Sequence, residues 1–158
     1  MILVACGTHH QPFDRLVLAA RQLARHHRVV LQRGASRLAA PGCEVHDEVP
    51  PQRFATWLRE ARIVVLHAGS SSFLEARAFG RTPILVPRRP ELGEHVDDHQ
   101  IRFAESVATQ ARVIEPDTLC EVVRRFVEPR RSEPEAPLAK RFAALMDAWQ
   151  TVRPPERR

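Results

Sequence analysis

The sequence predicts an α/β fold, a Rossmann-like parallel sheet with helices on both faces. Short apolar runs of strand length alternate along the chain with segments whose apolar residues recur at helical spacing. Regular alternation of this kind is typical of βαβ units. The chain has 158 residues, the size of one domain. A domain of that length can bury about 70% of its unfolded surface, so it needs no disulfide or metal to fold.

The strands are predicted first, from six short runs: 1–6, 29–32, 43–49, 62–66, 82–87 and 112–115. The run RIVVL at 62–66 has the apolar character of a strand buried on both faces of a parallel sheet. The segment CEVHDEV at 43–49 alternates apolar and polar residues instead. A loop containing Gly, Ser and Pro at 34–42 separates the second and third strands.

The helices are predicted between and after these strands, in five segments: 13–27, 51–60, 70–79, 97–110 and 117–127. The first segment places six apolar residues on one face: Phe13, Leu16, Val17, Ala20, Leu23 and Ala24. In the second, Phe54, Trp57 and Leu58 form the inner face. Asp117, which follows Pro116, is expected to cap the last of the five.

Residues 1–128 are therefore expected to form a single domain. The composition of residues 129–137, with Pro, Glu and Arg, predicts a linker. Residues 138–149 predict a further helix with an apolar stripe, which would dock on the domain or on a partner: Leu138, Phe142, Leu145, Met146 and Trp149. Residues 150–158 predict a flexible basic tail.

The composition excludes several classes of protein. The apolar runs are far shorter than the roughly 20 residues that a membrane span needs. The start, MILVACG, lacks the basic segment of a signal peptide. Cys6, Cys43 and Cys120 are odd in number and far apart, so they predict packed thiols in a reducing, cytosolic setting rather than disulfides.

The net charge of the chain is +5, and Lys140 is its only lysine, so arginine supplies the rest of the positive charge. Such a chain suits a phosphorylated ligand, an anionic membrane surface or a nucleic acid, and a compositional bias toward arginine would also explain it. The sequence has no tyrosine and only 6% aromatic residues, which is a poor platform for stacked bases. We therefore expect no nucleic-acid partner.

Two loops are expected to carry the chemistry, because ligands of parallel sheets bind outside the carboxyl ends of the strands. They are GTHHQP after the first strand and HAGSSS after the fourth. Gly69 allows a sharp turn, and Ser70, Ser71 and Ser72 begin a helix whose free N–H groups could hold a phosphate. Glu75 could accept the hydrogen bonds of a ribose diol. Alternatively, the serines cap the helix and Glu75 complements its dipole.

The segment PRRPELGEHVDDHQ, residues 87–100, adds polar groups at the same edge of the sheet. Arg88 and Arg89 lie where phosphate charge would sit, and Asp98 and Gln100 could bind sugar hydroxyls.

The same segment also contains a candidate set of metal ligands: His95, Asp97, Asp98 and His99. His95 and His99 are four residues apart, so they could converge on an ion. The histidine pairs at 9–10 and 26–27 are further candidates, although solvated caps are the commoner explanation of such pairs. We expect no metal site.

The stretch HAGSSSFLEARAFGRTPILVPRRPELGEHVDDHQ, residues 67–100, resembles the nucleotide-sugar signature of the glycosyltransferase family 28 C-terminal domain. That domain is the donor half of MurG-type GT-B enzymes. The shared pattern is a small-residue turn, a helix carrying a glutamate, a strand of the type TPILVP, and a loop that ends in D-x-x-Q. The stretch GTHHQPFDRLV after the first strand resembles the opening of the same domain.

The resemblance implies a donor site for a UDP-sugar. Glu75 would hold the ribose hydroxyls, and Ser72 with its neighbours Ser70 and Ser71 would contact the diphosphate. Gly7 and Thr8 would line the cleft and approach the phosphates.

The remaining site residues are placed by the same resemblance. His67 and Gly69 would shape the floor of the site, and His99 and Gln100 would face the donor sugar with the support of Asp98. A phosphate role for Arg88 follows from its charge rather than from the family.

The resemblance also implies how the chain would work. It is similar to the donor-binding subunits of split UDP-N-acetylglucosamine transferases and of PssE-type exopolysaccharide transferase pairs. The chain would then be a cytoplasmic subunit, held at the inner face of the membrane by a separate acceptor-half subunit that supplies the general base. The reaction would be an inverting transfer to a lipid-linked acceptor, without a metal cofactor.

The identity of the donor sugar stays open among N-acetylglucosamine, glucose and glucuronate. A regulatory module that binds UDP-sugars without catalysis is the alternative.

Overall fold

The computed structural model of the chain describes residues 1–126, which form the predicted parallel sheet. The strands are β1 (Ile2–Ala5), β2 (Val29–Gln32), β3 (Cys43–His46), β4 (Ile63–His67), β5 (Ile84–Val86) and β6 (Arg112–Val113). Their order in the sheet is β3-β2-β1-β4-β5-β6, and every neighbouring pair is parallel. This is the strand order of Rossmann-like sheets, so the predicted fold class is confirmed.

Helices cover both faces of the sheet, as predicted. They are α1 (Asp14–Leu23), α2 (Pro51–Glu60), α3 (Ser70–Ala78), α4 (His99–Ser106) and α5 (Leu119–Phe126). The apolar residues of α1 and α5 lie in one buried cluster, and those of α2, α3 and α4 lie in the other.

The two clusters are separated by the sheet, and β1 contributes to both. Ile2 and Val4 belong to the cluster under α1, whereas Leu3 and Ala5 belong to the cluster under α2. Successive side chains of a strand point to opposite faces, so a strand in the middle of this sheet must be apolar at every position. That requirement explains the uniformly apolar runs in the sequence.

The strand order reverses between β1 and β4, which are direct neighbours. The chain leaves β1 toward β2 on one side, and it leaves β4 toward β5 on the other. The loops at the carboxyl ends of these two strands therefore diverge and leave a crevice, which is where Rossmann-like sheets bind ligands.

The ends of several elements differ from the prediction. The helix predicted over 13–27 ends at Leu23, because the chain must turn back to enter β2. The helix predicted over 97–110 begins at His99, whose backbone N–H donates to the side chain of Asp97. Asp117, the expected cap, lies within a 3₁₀ turn that precedes α5.

No helix among residues 1–126 is long and apolar enough to cross a membrane. The linker predicted at 129–137, the helix at 138–149 and the basic tail at 150–158 lie outside the described residues.

The packing of the sheet gives a test of the core. Leu85 of β5 is fully buried, whereas Leu92 in the following loop is 56% exposed. We expect Leu85→Ala to lower the free energy of unfolding by about 2–5 kcal/mol, because it leaves a cavity, and Leu92→Ala to change it by about 0.5 kcal/mol or less. Urea unfolding followed by circular dichroism measures both, and equal losses would contradict the assignment of Leu85 to the core.

Candidate functional site

The loops after β1 and β4 meet around the imidazole of His67. Gly7 has a φ of +79°, and a Cβ atom built on it would lie 2.5 Å from Cε1 of His67. A Cβ atom on Gly69 would lie 2.3 Å from Nε2 of the same ring. Any larger residue at either position would displace the ring or the loop, so both positions require glycine.

The crevice above these loops is an open cleft of about 820 Å³, within the range of about 300–1,000 Å³ that is usual for small-molecule sites. Predicted site residues make up much of its lining: Gly7, Thr8, His67, Gly69, Ser70, Ser71, Ser72, Glu75, His99 and Gln100. The remaining residues were not predicted: His9, His10, Gln32, Val49, Pro51, Phe54 and His95. Among residues 1–126, no lysine or arginine lines the cleft.

The N-terminus of α3 opens into this cleft. Gly69 is the N-cap residue, and no side chain caps the helix. Ser70, Ser71 and Ser72 are the first three residues of α3 rather than its caps. The capping alternative is therefore wrong for these serines. A helix end of this kind presents N–H groups that lack intrahelical acceptors and carries a partial positive charge, so it favours an anion in the cleft.

Glu75 lies on the cleft side of α3 and is half-buried. Burial raises the pKa of its carboxyl group, and no other group among the described residues contributes to that shift. Among residues 1–126, the carboxylate thus has neither a cation nor a hydrogen-bond donor beside it, and it is available to accept hydrogen bonds from a ligand.

Arg88 does not line the cleft, which corrects the phosphate role inferred from its charge. Its side chain is 0% exposed. Its Nη1 donates to the carbonyl oxygens of Gln11 and Glu94 at 2.8 Å, and its Nη2 donates to that of Cys6 at 2.8 Å. The guanidinium also lies over the ring of Phe13, 4.8 Å from its centroid. Arg88 therefore holds the loops that frame the cleft.

Arg89 also points away from the predicted phosphate position. Its guanidinium pairs with Glu115 and Glu91, and its side chain is one-third exposed. Its backbone N–H donates to Glu94 Oε2 at 2.9 Å. These contacts satisfy both the side chain and the backbone of Arg89 outside the cleft.

Asp98 is likewise outside the cleft, because its carboxylate pairs with Arg102 at 2.9 Å. The support predicted for His99 comes from Asp97 instead. Asp97 Oδ1 lies 2.5 Å from Nδ1 of His99 and also accepts the backbone N–H of His99. Gln100 is buried, and its Oε1 accepts the backbone N–H of Arg88. Gln100 thereby links α4 to the loop after β5.

The histidines of the two loops form a contiguous group. The ring of His9 lies 4.4 Å from that of His10 and 4.2 Å from that of His95, and His95 lies 4.4 Å from His99, all between centroids. Sequence analysis assigned only His99 of these four to the site. The signal was present in the pairs His9–His10 and His95–His99, but only the fold shows that they are adjacent.

Three of the four candidate metal ligands lie together beside this group of histidines. His95, Asp97 and His99 each bring one ligand atom within 4.8 Å of the others. Asp97 Oδ1 lies 2.5 Å from Nδ1 of His99 and 3.5 Å from Nδ1 of His95. The Nδ1 atom of His95 accepts the backbone N–H of Asp97.

His67, at the floor of the cleft, is a neutral imidazole near neutral pH. The pKa of His67 is lowered to about 4, first by burial and then by the positive charge of Arg88. Its Nδ1 is buried without a hydrogen-bond partner among residues 1–126. The imidazole of His67 therefore adds no positive charge to the floor of the cleft near neutral pH.

The sequence pattern of the glycosyltransferase family 28 C-terminal domain matches residues 1–149. The chain belongs to this family. No match is found among the curated proteins.

Solved structures of glycosyltransferases share the fold. The glycotransferase of kitacinnamycin is 26% identical with a TM-score of 0.60, over 95% of this chain and 39% of that one. SnogD from Streptomyces nogalater is 18% identical with a TM-score of 0.52, over 93% and 43% of the two chains. CalG4, the calicheamicin glycosyltransferase, is 21% identical with a TM-score of 0.52, over 97% and 44%. The chain thus spans less than half the length of these enzymes, and the prediction of a single half of a GT-B fold is confirmed.

The buried position of Arg88 gives a second test. We expect Arg88→Lys to lower the free energy of unfolding by about 3 kcal/mol or more, because lysine cannot reach several buried carbonyl oxygens at once. Arg21→Lys, on the exposed side of α1, is the matched control and should leave stability nearly unchanged. Urea unfolding gives both values. An Arg88→Lys protein of native stability that fails to bind UDP would restore the direct phosphate role.

Proposed function

We propose that this domain binds the UDP-sugar donor of an inverting glycosyltransferase. The observation that carries the proposal is the cleft itself. At the point where the strand order reverses, an uncapped helix N-terminus and an unpaired carboxylate open into the same space. One end of this site suits a phosphate and the other suits a diol, which are the two polar parts of a nucleoside diphosphate.

In the proposed complex, Glu75 accepts the hydrogen bonds of the ribose hydroxyls. The N–H groups at the start of α3, with the hydroxyl groups of Ser71 and Ser72, bind the diphosphate. Gly7 and Thr8 line the opposite wall, where the absence of a side chain on Gly7 lets the backbone approach the phosphates.

The donor sugar would lie toward the start of α4. His99, oriented by Asp97, and Gln100 are the polar groups on that side of the cleft. Hydrogen bonds from these side chains would position the sugar, and UDP-N-acetylglucosamine or a related UDP-hexose is the proposed donor.

The chemistry would be transfer of the sugar to a lipid-linked acceptor, with inversion at the anomeric carbon. As the bond from that carbon to the diphosphate breaks, the N-terminus of α3 stabilises the negative charge that develops on UDP. We therefore propose that no metal cofactor is needed. The general base that removes the acceptor proton would come from a separate acceptor-half subunit at the cytoplasmic face of a membrane.

The role of Glu75 is tested by calorimetry with UDP. We expect Glu75→Gln to weaken binding about ten- to hundredfold, because hydrogen bonds to a charged group contribute about 1.5–3 kcal/mol. Glu60→Gln, at the exposed end of α2, is the matched control. The same variants should bind 2′,3′-dideoxy-UDP equally, since this ligand lacks the diol. Equal loss of affinity for both ligands would contradict a ribose contact.

The need for a partner is tested by sugar transfer from labelled UDP-N-acetylglucosamine to membrane lipid. We expect transfer only when the purified chain is combined with membranes that contain its acceptor-half subunit, and a strong reduction with Glu75→Gln. Transfer by the chain alone would contradict the divided active site. UDP binding without transfer in the combined system would favour the regulatory module.

A further inference from the structure

In the cleft, histidines rather than arginines are the side chains that could supply positive charge. The chain has a net charge of +5, yet among the described residues no arginine or lysine lines the cleft. Arg88, the arginine nearest to its floor, is buried and donates to backbone carbonyl oxygens. The side chains that can become cationic in the cleft are histidines.

Four of these histidines are in contact along one wall. His9 and His10 belong to the loop after β1, and His95 and His99 belong to the segment that leads into α4. The rings follow one another in the order His10, His9, His95, His99, with centroids 4.2–4.4 Å apart. We refer to these four residues as the histidine wall.

His9 and His95 are the central members of the wall. Burial lowers the pKa of His9, and His95, His10, Arg88 and His99 lower it further. No carboxylate among the described residues contributes to its surroundings. Burial and His99 also lower the pKa of His95, and the nearby Asp97 only partly offsets them.

Such an arrangement is unfavourable for charged imidazoles in the empty cleft and favourable once an anion lies beside them. We propose that His9 and His95, which are in contact at the centre of this wall, form the cationic face of the diphosphate site and take up protons from solution when the donor binds. This inference rests on the proposed function, because it assigns these histidines to the binding of the same donor.

The direction of the effect follows from charge. Near neutral pH, His9 and His95 are mainly neutral in the free protein, because their pKa values are lowered. A diphosphate beside them stabilises the protonated imidazoles and raises their pKa values in the complex. Binding therefore consumes protons and strengthens as the pH falls, by up to about tenfold per pH unit for each proton fully coupled to binding.

The first measurement is calorimetry of the full chain with UDP-N-acetylglucosamine, whose diphosphate has no ionisation near neutral pH. Titrations at one pH in buffers of low and high ionisation enthalpy, such as HEPES and Tris, give the number of protons taken up. We expect net uptake of about half a proton or more per donor, and affinity that increases from about pH 8.5 to about pH 6. The titrations are made both with and without EDTA, and UDP is titrated in parallel to establish that the site binds nucleotide.

Variants locate the protons that are taken up. His9→Gln and His95→Gln should each reduce the proton uptake and flatten the dependence of affinity on pH. His26→Gln, in the exposed turn after α1, is the matched control and should change neither quantity. Proton NMR titration of the histidine rings in the unaltered protein gives an independent answer, since the pKa values of His9 and His95 should rise when donor is added.

The outcomes separate this inference from the proposed function. Binding of UDP-N-acetylglucosamine without proton uptake, or with uptake that survives both variants, would overturn the histidine wall and leave the donor site standing. Binding that disappears with EDTA and returns with Zn²⁺ would show that the histidines hold a metal ion instead. Failure of both UDP and UDP-N-acetylglucosamine to bind at any pH would overturn the proposed function and the inference together.

Discussion

The buried guanidinium of Arg88 is the interaction on which the cleft depends. It joins the end of β1, through the carbonyl oxygen of Cys6, to the following loop at Gln11 and to the segment before α4 at Glu94. The backbone N–H of the same residue is bound by Gln100 of α4. Leaving these polar groups without partners would be costly in a closed interior. One side chain thus fixes the separation of the two loops that carry the histidines.

Ion pairs outside the cleft support the same segment. The carboxylate of Glu94 accepts hydrogen bonds from Nε and Nη2 of Arg15 in α1, at 2.7 and 2.8 Å. Arg15 also pairs with Glu115. Glu115 in turn pairs with Arg89. The permanent charges of these arginines are therefore used to hold the loops, and among the described residues the groups of the cleft that can meet an anion are helix N–H groups, hydroxyl groups and imidazoles. The charge of a site built in this way can adjust to an anionic ligand, because imidazoles gain protons more readily beside an anion.

Much of the fold followed from the sequence because its causes are local. Helix α2 was predicted over 51–60 and lies at Pro51–Glu60, since Pro50 and Pro51 define its start and Phe54, Trp57 and Leu58 define its buried face. The end of α1 was predicted four residues too late, because the residues after Leu23 are compatible with a helix and only the return of the chain to β2 ends it. Predictions of this kind fail where a tertiary connection overrides local preference.

For the site, the sequence by itself determined which residue types are present in the loops after β1 and β4. Gly7, Gly69 and the serines of α3 line the cleft, because a parallel sheet brings the carboxyl ends of its strands to one edge. The tertiary structure alone decided the direction of each charged side chain. Arg88 was expected at the phosphates and is buried, and His9, His10 and His95 were not expected and line the cleft. A sequence shows that a residue carries charge, but whether that charge meets a ligand or a carbonyl oxygen depends on atoms up to 82 positions away along the chain.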